Sequence, residues 1–528
     1  MSTPQTRICI CNNVGLTNEY KHTIFFSDLS EQSTFFEGKV AKTFSDYTYT
    51  RKNWELKVGA SFATASSWSY LFFKNPNDAK TYYYFINDVQ YVSDNTVKLV
   101  LELDVMQTYM FDYNLSPCFV EREHSATDQI GDNTVEEDLE LGHYTCYDST
   151  TSDFDSLQCV MIMTTLDLSK SNFPRAVGHE CEGIYTGCNI YAIEWNDQDI
   201  IQDLLSRVDS AGKSDAILTM WMYPREHLTF GDSYGSLHLV KGSADVNISS
   251  MKYLEKPTKI GTYTPKNKKL LTYPFVYLYV TNHTGNTAIY RYERFQGDID
   301  FLAQGSMYPD GGMLISPVKY NGSAVCRDEK ITLGSFPTCA WSSDTYKLWL
   351  AQNQSQHALT MTQGAITAGA GALTAVVGTA MLNPAMMAGG VGGVVSGAST
   401  IASLMAQKSD MERMPPQAHG SVSSTLLASN LMHNLLFMSK GITVERARMI
   451  DDYFTLYGYA LKRVKVPNRN VRESFTYTKT VGCHISGNIC TSDKVKIESI
   501  YDRGITFWNK NETVGNYQAS NKPLSEVT

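Results

Sequence analysis

Sixty consecutive residues, Leu348 to Gln407, carry no Asp, Glu, Lys or Arg in a chain that is 19% charged overall. A stretch of that kind must be concealed or inserted somewhere apolar, so the rest of the chain is read as apparatus for holding it. It divides at the turn-favouring dipeptide Asn383-Pro384 into arms Gly364 to Leu382 and Ala385 to Ala406. Each arm is near the roughly 20 residues a helix needs to cross a bilayer, which makes the stretch a hairpin. Both arms are poor in Leu and rich in Gly and Ala. Ala385, Gly389, Gly393 and Gly397 recur at four-residue spacing, a ridge that lets apolar helices approach closely. Gly disfavours a helix by about 1 kcal/mol relative to Ala, so these arms suit conditional insertion, in which lipid forces the backbone to satisfy itself. The membrane-inserting side chains expected are Ile366, Leu373, Val376, Val377, Met381 and Leu382 on the first arm, and Met386, Met387, Val391, Val394, Val395, Ile401 and Leu404 on the second. The alternative is a Gly/Ala-rich hairpin buried in a core or an assembly interface, which periodicity does not separate from a span.

Several domains are expected from 528 residues. The composition is 12% aromatic, with 32 Tyr and 22 Phe, and leans toward strands and interfaces. The formal charge is -9 and no Lys/Arg-rich run stands out, which argues against tight nucleic-acid binding by phosphate neutralisation. A passage through which DNA slides would want few cations for the same reason. Met1 to Ile10 has no basic segment followed by an apolar core, so no secretory signal is expected and assembly in a cytoplasm is. The Cys count of 11 is odd, and Cys9 with Cys11 and Cys181 with Cys188 lack zinc spacing, which favours reduced, mostly buried thiols. His179 beside Cys181 is two candidate ligands without a second pair. No metal and no cofactor are expected.

Along the chain, residues 1–125 read as strands. Thr81 to Val92, the turn Ser93-Asp94-Asn95 and the alternating Val97, Leu99, Leu101, Leu103 and Val105 predict a long hairpin with one buried face. Asp128 to Glu140 is acidic without periodicity and predicts a solvated surface loop. Its carboxylates have no apolar setting that would separate them into an acid and a base. In 157–225, strands at Cys159 to Leu168 and Ile184 to Trp195 precede a helix capped by Asn196, with Ile200, Ile201, Leu204, Leu205 and Val208 on one face and Gly212 beyond its end. A strand Ala216 to Tyr223 follows, so the β-β-α-β order suggests a small α+β insertion. Gly231-Asp232-Ser233-Tyr234-Gly235 matches the G-x-S-x-G nucleophile elbow, but strand-like Leu237, His238, Leu239 and Val240 follow where the elbow needs a helix.

Lys256 to Lys269 is basic and turn-rich. Phe275 to Thr281 and Ala288 to Phe295, around His283 to Asn286, predict a second hairpin, and Leu314 to Tyr320 a further strand. Ser343 caps an expected helix Asp344 to Gln354 that leads into the charge-free stretch, and Pro415-Pro416 returns the chain to the body. Helices are expected at Val444 to Tyr457, ended by Gly458, and Asp493 to Arg503, ended by Gly504.

Several segments resemble one family, the distal tail-knob (tail tube) proteins of short-tailed phages of the phi29 type. They are Leu101 to His124 (LELDVMQTYMFDYNLSPCFVEREH), Tyr263 to Leu278 (YTPKNKKLLTYPFVYL), Ile331 to Gln354 (ITLGSFPTCAWSSDTYKLWLAQNQ), Ile450 to Asn468 (IDDYFTLYGYALKRVKVPN) and Gly504 to Trp508 (GITFW). Residues 126–255 carry the weakest resemblance. The resemblance implies a hexameric tube at the tail tip, built in the bacterial host cytoplasm. Apolar loops fill its lumen, exit on infection and help form a membrane channel for the genome.

The expected fold is therefore mainly β with α+β elements, with β-barrel tube domains forming a ring and a long Gly/Ala-rich apolar hairpin insertion. The expected division is 1–125 as an N-terminal β tube domain, 126–255 as an α+β insertion, 256–347 as a second β tube domain, 348–407 as the membrane-active loop, and 408–528 as the return to the tube with C-terminal helices. The expected function is a structural conduit for DNA ejection, with no catalytic residue. Its partners would be identical copies, other phage tail proteins, host membrane lipid and double-stranded DNA passing without specific binding. Two other readings compete. A tail-associated cell-wall hydrolase would need a paired-carboxylate cleft or a Cys/His or zinc constellation, and a resident membrane or pore protein would show more spans with basic flanks.

Overall fold

The computed structural model describes residues 6–47, 54–75, 80–151, 159–194, 196–211, 213–247, 255–282, 285–308, 311–333, 338–339, 341–342, 418–419 and 435–526. The described chain is mainly β and gathers into two compact units, neither continuous in sequence. One takes Met1–His143, Thr258–Phe275 and Ile442–Thr528, and the other Tyr144–Pro257 and Val276–Gly441. The boundary at His143 falls inside the segment 126–255, so its acidic first part belongs to the first unit.

The first unit is organised on two sheets. A six-stranded antiparallel sheet has the order Val40–Tyr47, Thr6–Cys11, Tyr70–Lys74, Thr81–Ser93, Thr96–Leu103, Glu55–Val58. The expected hairpin is its centre: Thr96–Leu103 alternates strictly, and Val97, Leu99, Leu101 and Leu103 are buried. The alternation ends two residues early, at Leu103. Asp104 turns the chain into the one-turn helix Val105–Thr108, accepting from the Met106 and Gln107 amides at 3.0 and 3.1 Å. The Tyr70 hydroxyl donates to its other oxygen at 2.8 Å, and burial pushes the Asp104 carboxyl up to about 6.

Residues 1–125 also contain a helix, Leu29–Glu37, which the strand reading passed over. Asp28 accepts from the Glu31 amide at 2.8 Å while Glu31 accepts from the Ser27 amide at 2.6 Å, a reciprocal cap legible in the Asp-x-x-Glu spacing. Phe36 from this helix stacks on Tyr70 in the sheet core.

The second sheet has the order His22–Phe25, Ile505–Asn509, Phe475–Val481, Cys118–Glu123, Tyr459–Lys465, with only the first pair parallel. Its strands come from both ends of the chain. Two helices pack beside it, Val444–Tyr457 and Thr491–Arg503, ended as expected by Gly458 and Gly504 at φ 64° and 94°.

In the second unit a six-stranded antiparallel sheet runs Leu228–Tyr234, Leu237–Ser243, Asn189–Glu194, Cys159–Thr164, Ile217–Tyr223, Thr338–Cys339. The helix Gln198–Ser210 buries Ile201, Leu204, Leu205 and Val208, giving the expected β-β-α-β succession. Three details differ. Ile200 is exposed, because a turn of 100° per residue carries it past the edge of the apolar stripe. Asp197 rather than Asn196 stands at the N-cap position, and its side chain makes no capping hydrogen bond. Ile184–Thr186 forms its own ribbon with His179–Cys181 instead of joining the strand that begins at Asn189.

Two four-stranded sheets complete this unit. They have the orders Tyr144–Thr151, Leu436–Ile442, Val276–Thr281, Thr287–Tyr290 and Val246–Asn247, Phe295–Gly305, Met313–Tyr320, Ile331–Leu333. The second hairpin is shorter than read, since its return strand stops at Tyr290 and the turn Tyr292–Arg294 redirects the chain into the next sheet.

Gly458 ends its helix where the chain turns against Cys118–Glu123. A Cβ there would lie 2.2 Å from the Glu123 carbonyl oxygen, on a backbone that L residues rarely adopt. Gly458→Ala is expected to destabilise the protein by about 2–4 kcal/mol, read as a shift of the chemical-denaturation midpoint; an unchanged midpoint would contradict this packing.

Candidate functional site

The expected membrane-inserting residues, from Ile366 to Leu404 with the turn Asn383-Pro384, lie outside the described residues, as do the Ser343-capped helix and Pro415-Pro416. What the structure describes is how that part of the chain is held. Thr338–Cys339 is the edge strand of the second unit's six-stranded sheet, with Cys339 opposite Met220 and Thr338 opposite Trp221. Trp221 is fully buried, and its indole donates to the Met307 carbonyl at 2.9 Å, so this foothold rests on a core strand. Trp341–Ser342 then pairs antiparallel with Ala418–His419, Trp341 opposite His419 and Ser342 opposite Ala418. The chain therefore returns to the place it left, and residues 343–417 form an excursion closed by backbone pairing at its base. Such an excursion is cheap to extend, because loop-closure cost grows only with the logarithm of length. No helix among the described residues is long and apolar enough to cross a membrane.

The residues weighed for chemistry resolve differently. Ser233 lies in the Leu228–Tyr234 strand of a hairpin, not on an elbow, and faces His238 across it with Oγ 2.8 Å from Nδ1. The imidazole stacks on Phe230. A working dyad would need a group orienting the His and donors for an oxyanion, and a strand-to-strand turn supplies no helix N-terminus for the latter. His179 is committed to structure, with Nε2 2.8 Å from the Val240 carbonyl and Nδ1 3.3 Å from Asn189 Oδ1. Cys181 is fully buried. Among the described residues no group of three or more His, Cys, Asp or Glu side chains could hold a metal ion.

The acidic loop is the main correction to the sequence reading. Asp128, Asn133 and Glu137 are buried rather than solvated. Glu137 accepts from Lys269 Nζ at 2.5 Å and from the Ala460 amide at 2.9 Å, and its other oxygen pairs with Arg122. Lys269 and Glu137 side chains are 2% and 1% exposed. Burial lowers the Lys269 amine despite the carboxylate beside it, and the Phe454 and Tyr459 rings flank the cation at 5.8 and 5.4 Å. Asp128 accepts from the Tyr459 hydroxyl at 2.6 Å, and burial raises its carboxyl. Fully buried Asp451 accepts from the Tyr263 hydroxyl and from the Lys266 and Asn267 amides at 2.6, 2.7 and 3.0 Å. These contacts join all three chain segments of the first unit. The available signal was the pairing of an acidic loop with a basic turn-rich stretch in which Lys269 directly precedes Leu270 and Leu271.

Two family models cover most of the chain. One, "Bacillus phage phi29, Tail knob protein gp9, C-terminal domain", matches residues 242–522, more than half of the sequence, and the other, "Caudoviral major tail protein N-terminus", matches 4–114. The chain belongs to the phi29-type tail knob protein family. Tail knob protein gp9 of Bacillus phage B103 is 23% identical and that of Bacillus phage phi29 24%, each with 98% of both chains covered. Among solved structures, the bacteriophage C1 tail knob protein gp12 matches with a TM-score of 0.69 at 15% identity, covering 98% of this chain and 100% of that one. As a tail knob protein, the molecule is a structural virion component of the phage tail and not an enzyme, and the mainly β architecture is shared with a solved tail knob. The segments that suggested the family are spread through both units, and the polar junction uses three of them, at Arg122, Lys269 and Tyr459.

Replacing Lys269 by Met leaves a buried carboxylate with Arg122 as its one remaining ion partner, so a loss of about 3 kcal/mol in unfolding free energy is expected. Lys462→Met, which removes an exposed pair with Asp138, should change little. Equal effects would mean the junction is not buried.

His124 tests the same region by pH. Its Nδ1 accepts from the Tyr477 amide at 2.7 Å and its Nε2–H donates to the Thr455 carbonyl at 3.1 Å, so the ring is held neutral; burial first, then the nearby Arg472, brings it down from 6.5 to about 3. As pH falls below 6.5 the unfolded chain binds the proton first, so stability is lost from there toward pH 3. Asp104, raised to about 6 from 3.8, acts in the opposite direction, and only a comparison isolates the imidazole. The stability advantage over a His124→Gln variant is expected to shrink by about 2 kcal/mol from pH 7 to pH 5, measured by denaturant titration; a constant gap would refute the buried neutral ring.

Proposed function

We propose that this tail knob protein forms the distal conduit for DNA ejection, and that its charge-free segment inserts into the host cytoplasmic membrane during infection. The observation that carries the reading is the antiparallel pair Trp341–Ser342 with Ala418–His419. It makes the intervening chain a tethered excursion, and sixty of its residues carry no charged side chain. A tethered apolar excursion can leave its storage place without unfolding the body that holds it. Two arms of near-bilayer length joined at Asn383-Pro384 are what a re-entrant or spanning hairpin needs. The inserted side chains would be the apolar positions from Ile366 and Leu373 to Ile401 and Leu404.

Storage before release calls for a closed space, and identical copies joined in a ring provide one. Six copies are what the family resemblance implies. A net charge of -9 suits a wall past which double-stranded DNA slides without specific binding, since few cations means few phosphate contacts to break. Other tail proteins would flank the ring, and assembly would take place in the host cytoplasm.

The test places one charge in each arm, Leu373→Asp with Val394→Asp. An acidic residue at the bilayer centre costs roughly 2.5 to 3.5 kcal/mol on insertion scales, and the cost repeats in every copy. The variant is expected to assemble like the wild type, scored by light scattering, and to lose dye leakage from liposomes. Full leakage in an assembled variant would remove the membrane role. Loss of assembly would instead favour a hairpin packed in a tight core or interface, where an unpaired carboxylate is heavily penalised.

A further inference from the structure

Cys118 opens the strand Cys118–Glu123, and Cys483 follows the strand Phe475–Val481 after the single residue Gly482, whose φ is 67°. These strands are antiparallel neighbours, with Val481 opposite Phe119 and Thr480 opposite Val120. Continuing that register sets Cys483 diagonally beside Cys118, the kind of neighbouring backbone placement that a disulfide's Cα separation of about 4.4 to 6.8 Å requires. The two thiols are close enough to act on each other's ionisation, and the Thr480 hydroxyl acts on both. Asp502 Oδ1 holds the turn in place, accepting from Thr480 Oγ1 at 2.7 Å and from the Cys483 amide at 2.9 Å. Both cysteines are buried but not sealed, at 6% and 7% exposure.

We propose that Cys118 and Cys483 form a disulfide site, reduced when the chain folds and oxidised when the finished tail meets a small-molecule disulfide. One cysteine thiolate attacks a sulfur of the small disulfide and releases one small thiol, leaving a mixed disulfide. The second cysteine thiolate then attacks the protein sulfur of that mixed disulfide and releases the other. Two cysteine thiols are oxidised, one small disulfide is reduced to two thiols, and the two cysteine protons end on those thiols. Burial pushes the Cys483 thiol up to about 12 and raises that of Cys118, so exchange is slow at neutral pH and quickens as the pH rises.

The bond would have a particular mechanical effect here. Cys118 precedes every residue of the second unit and Cys483 follows every one. A link between them closes the first unit's second sheet whatever the intervening chain does, and the benefit of such a cross-link grows with the length of loop it closes.

The full-length protein is incubated with oxidised glutathione at about pH 8.5, quenched in acid, denatured, treated with N-ethylmaleimide, digested and mapped by mass spectrometry. The expected result is a loss of two hydrogens with the Cys118 and Cys483 peptides joined. A rise in melting temperature of roughly 5 °C should accompany it and be reversed by a dithiol reductant. Cys118→Ser and, separately, Cys483→Ala are expected to lose both the link and the rise. Exposed Cys490 should take glutathione as a mixed disulfide, which reports that the oxidant is active. Finding Cys118 and Cys483 both alkylated, each capped separately by glutathione, or joined to other cysteines would overturn the proposal, and the wild-type map decides this even if neither variant folds.

Discussion

The first unit depends on one buried carboxylate. Glu137 is held between Arg122 and Lys269, with the Ala460 amide completing its contacts. The four residues come from three stretches of chain that are separated by the two excursions into the second unit. A unit assembled from distant pieces has no covalent reason to stay together, and each return of the chain carries a loop-closure cost. Apolar burial supplies the bulk of the attraction but is indifferent to register. A charge nine-tenths buried is not, since each partner lost leaves an uncompensated ion. Asp451 and Asp128 repeat the device at neighbouring points, gathering the amides of Lys266, Asn267 and Lys268 and the hydroxyls of Tyr263 and Tyr459. The result is a polar lock whose parts have meaning only together.

The charge-free stretch is attached to the second unit, through a sheet edge at Thr338–Cys339 and the short pair Trp341–Ser342 with Ala418–His419. The two ends of that segment are bound to each other by backbone pairing. In the proposed conduit, the body would remain folded while the segment changes environment.

The surface chemistry that invites an enzymatic reading dissolves on inspection of its setting. Ser233 and His238 are at hydrogen-bonding distance because an antiparallel hairpin sets residues opposite each other, which any sheet does. His179 and Cys181 share a two-stranded ribbon and spend their polar atoms on the neighbouring strand and side chains.

Much of the local structure was legible in the residues. The period-two run at Val97 to Leu103, the Gly-terminated helices at Val444–Tyr457 and Thr491–Arg503, and the β-β-α-β succession after Cys159 follow from short-range rules of alternation, capping and turn chemistry. The family was legible too, because its motifs are contiguous stretches. By itself the sequence determined that the protein is rich in strands, weak in catalytic constellations and built around a segment without charges. The tertiary structure alone decided that Asp128, Asn133 and Glu137 of the acidic loop are buried, that Lys269 lies in the interior, that Ile200 faces out and Asp104 turns a helix, and which strands share a sheet. For the buried charges the physical reason is that burial is settled by partners distant in sequence, as Lys269 is for Glu137 at a separation of 132 residues, and no local pattern encodes the distance that folding removes.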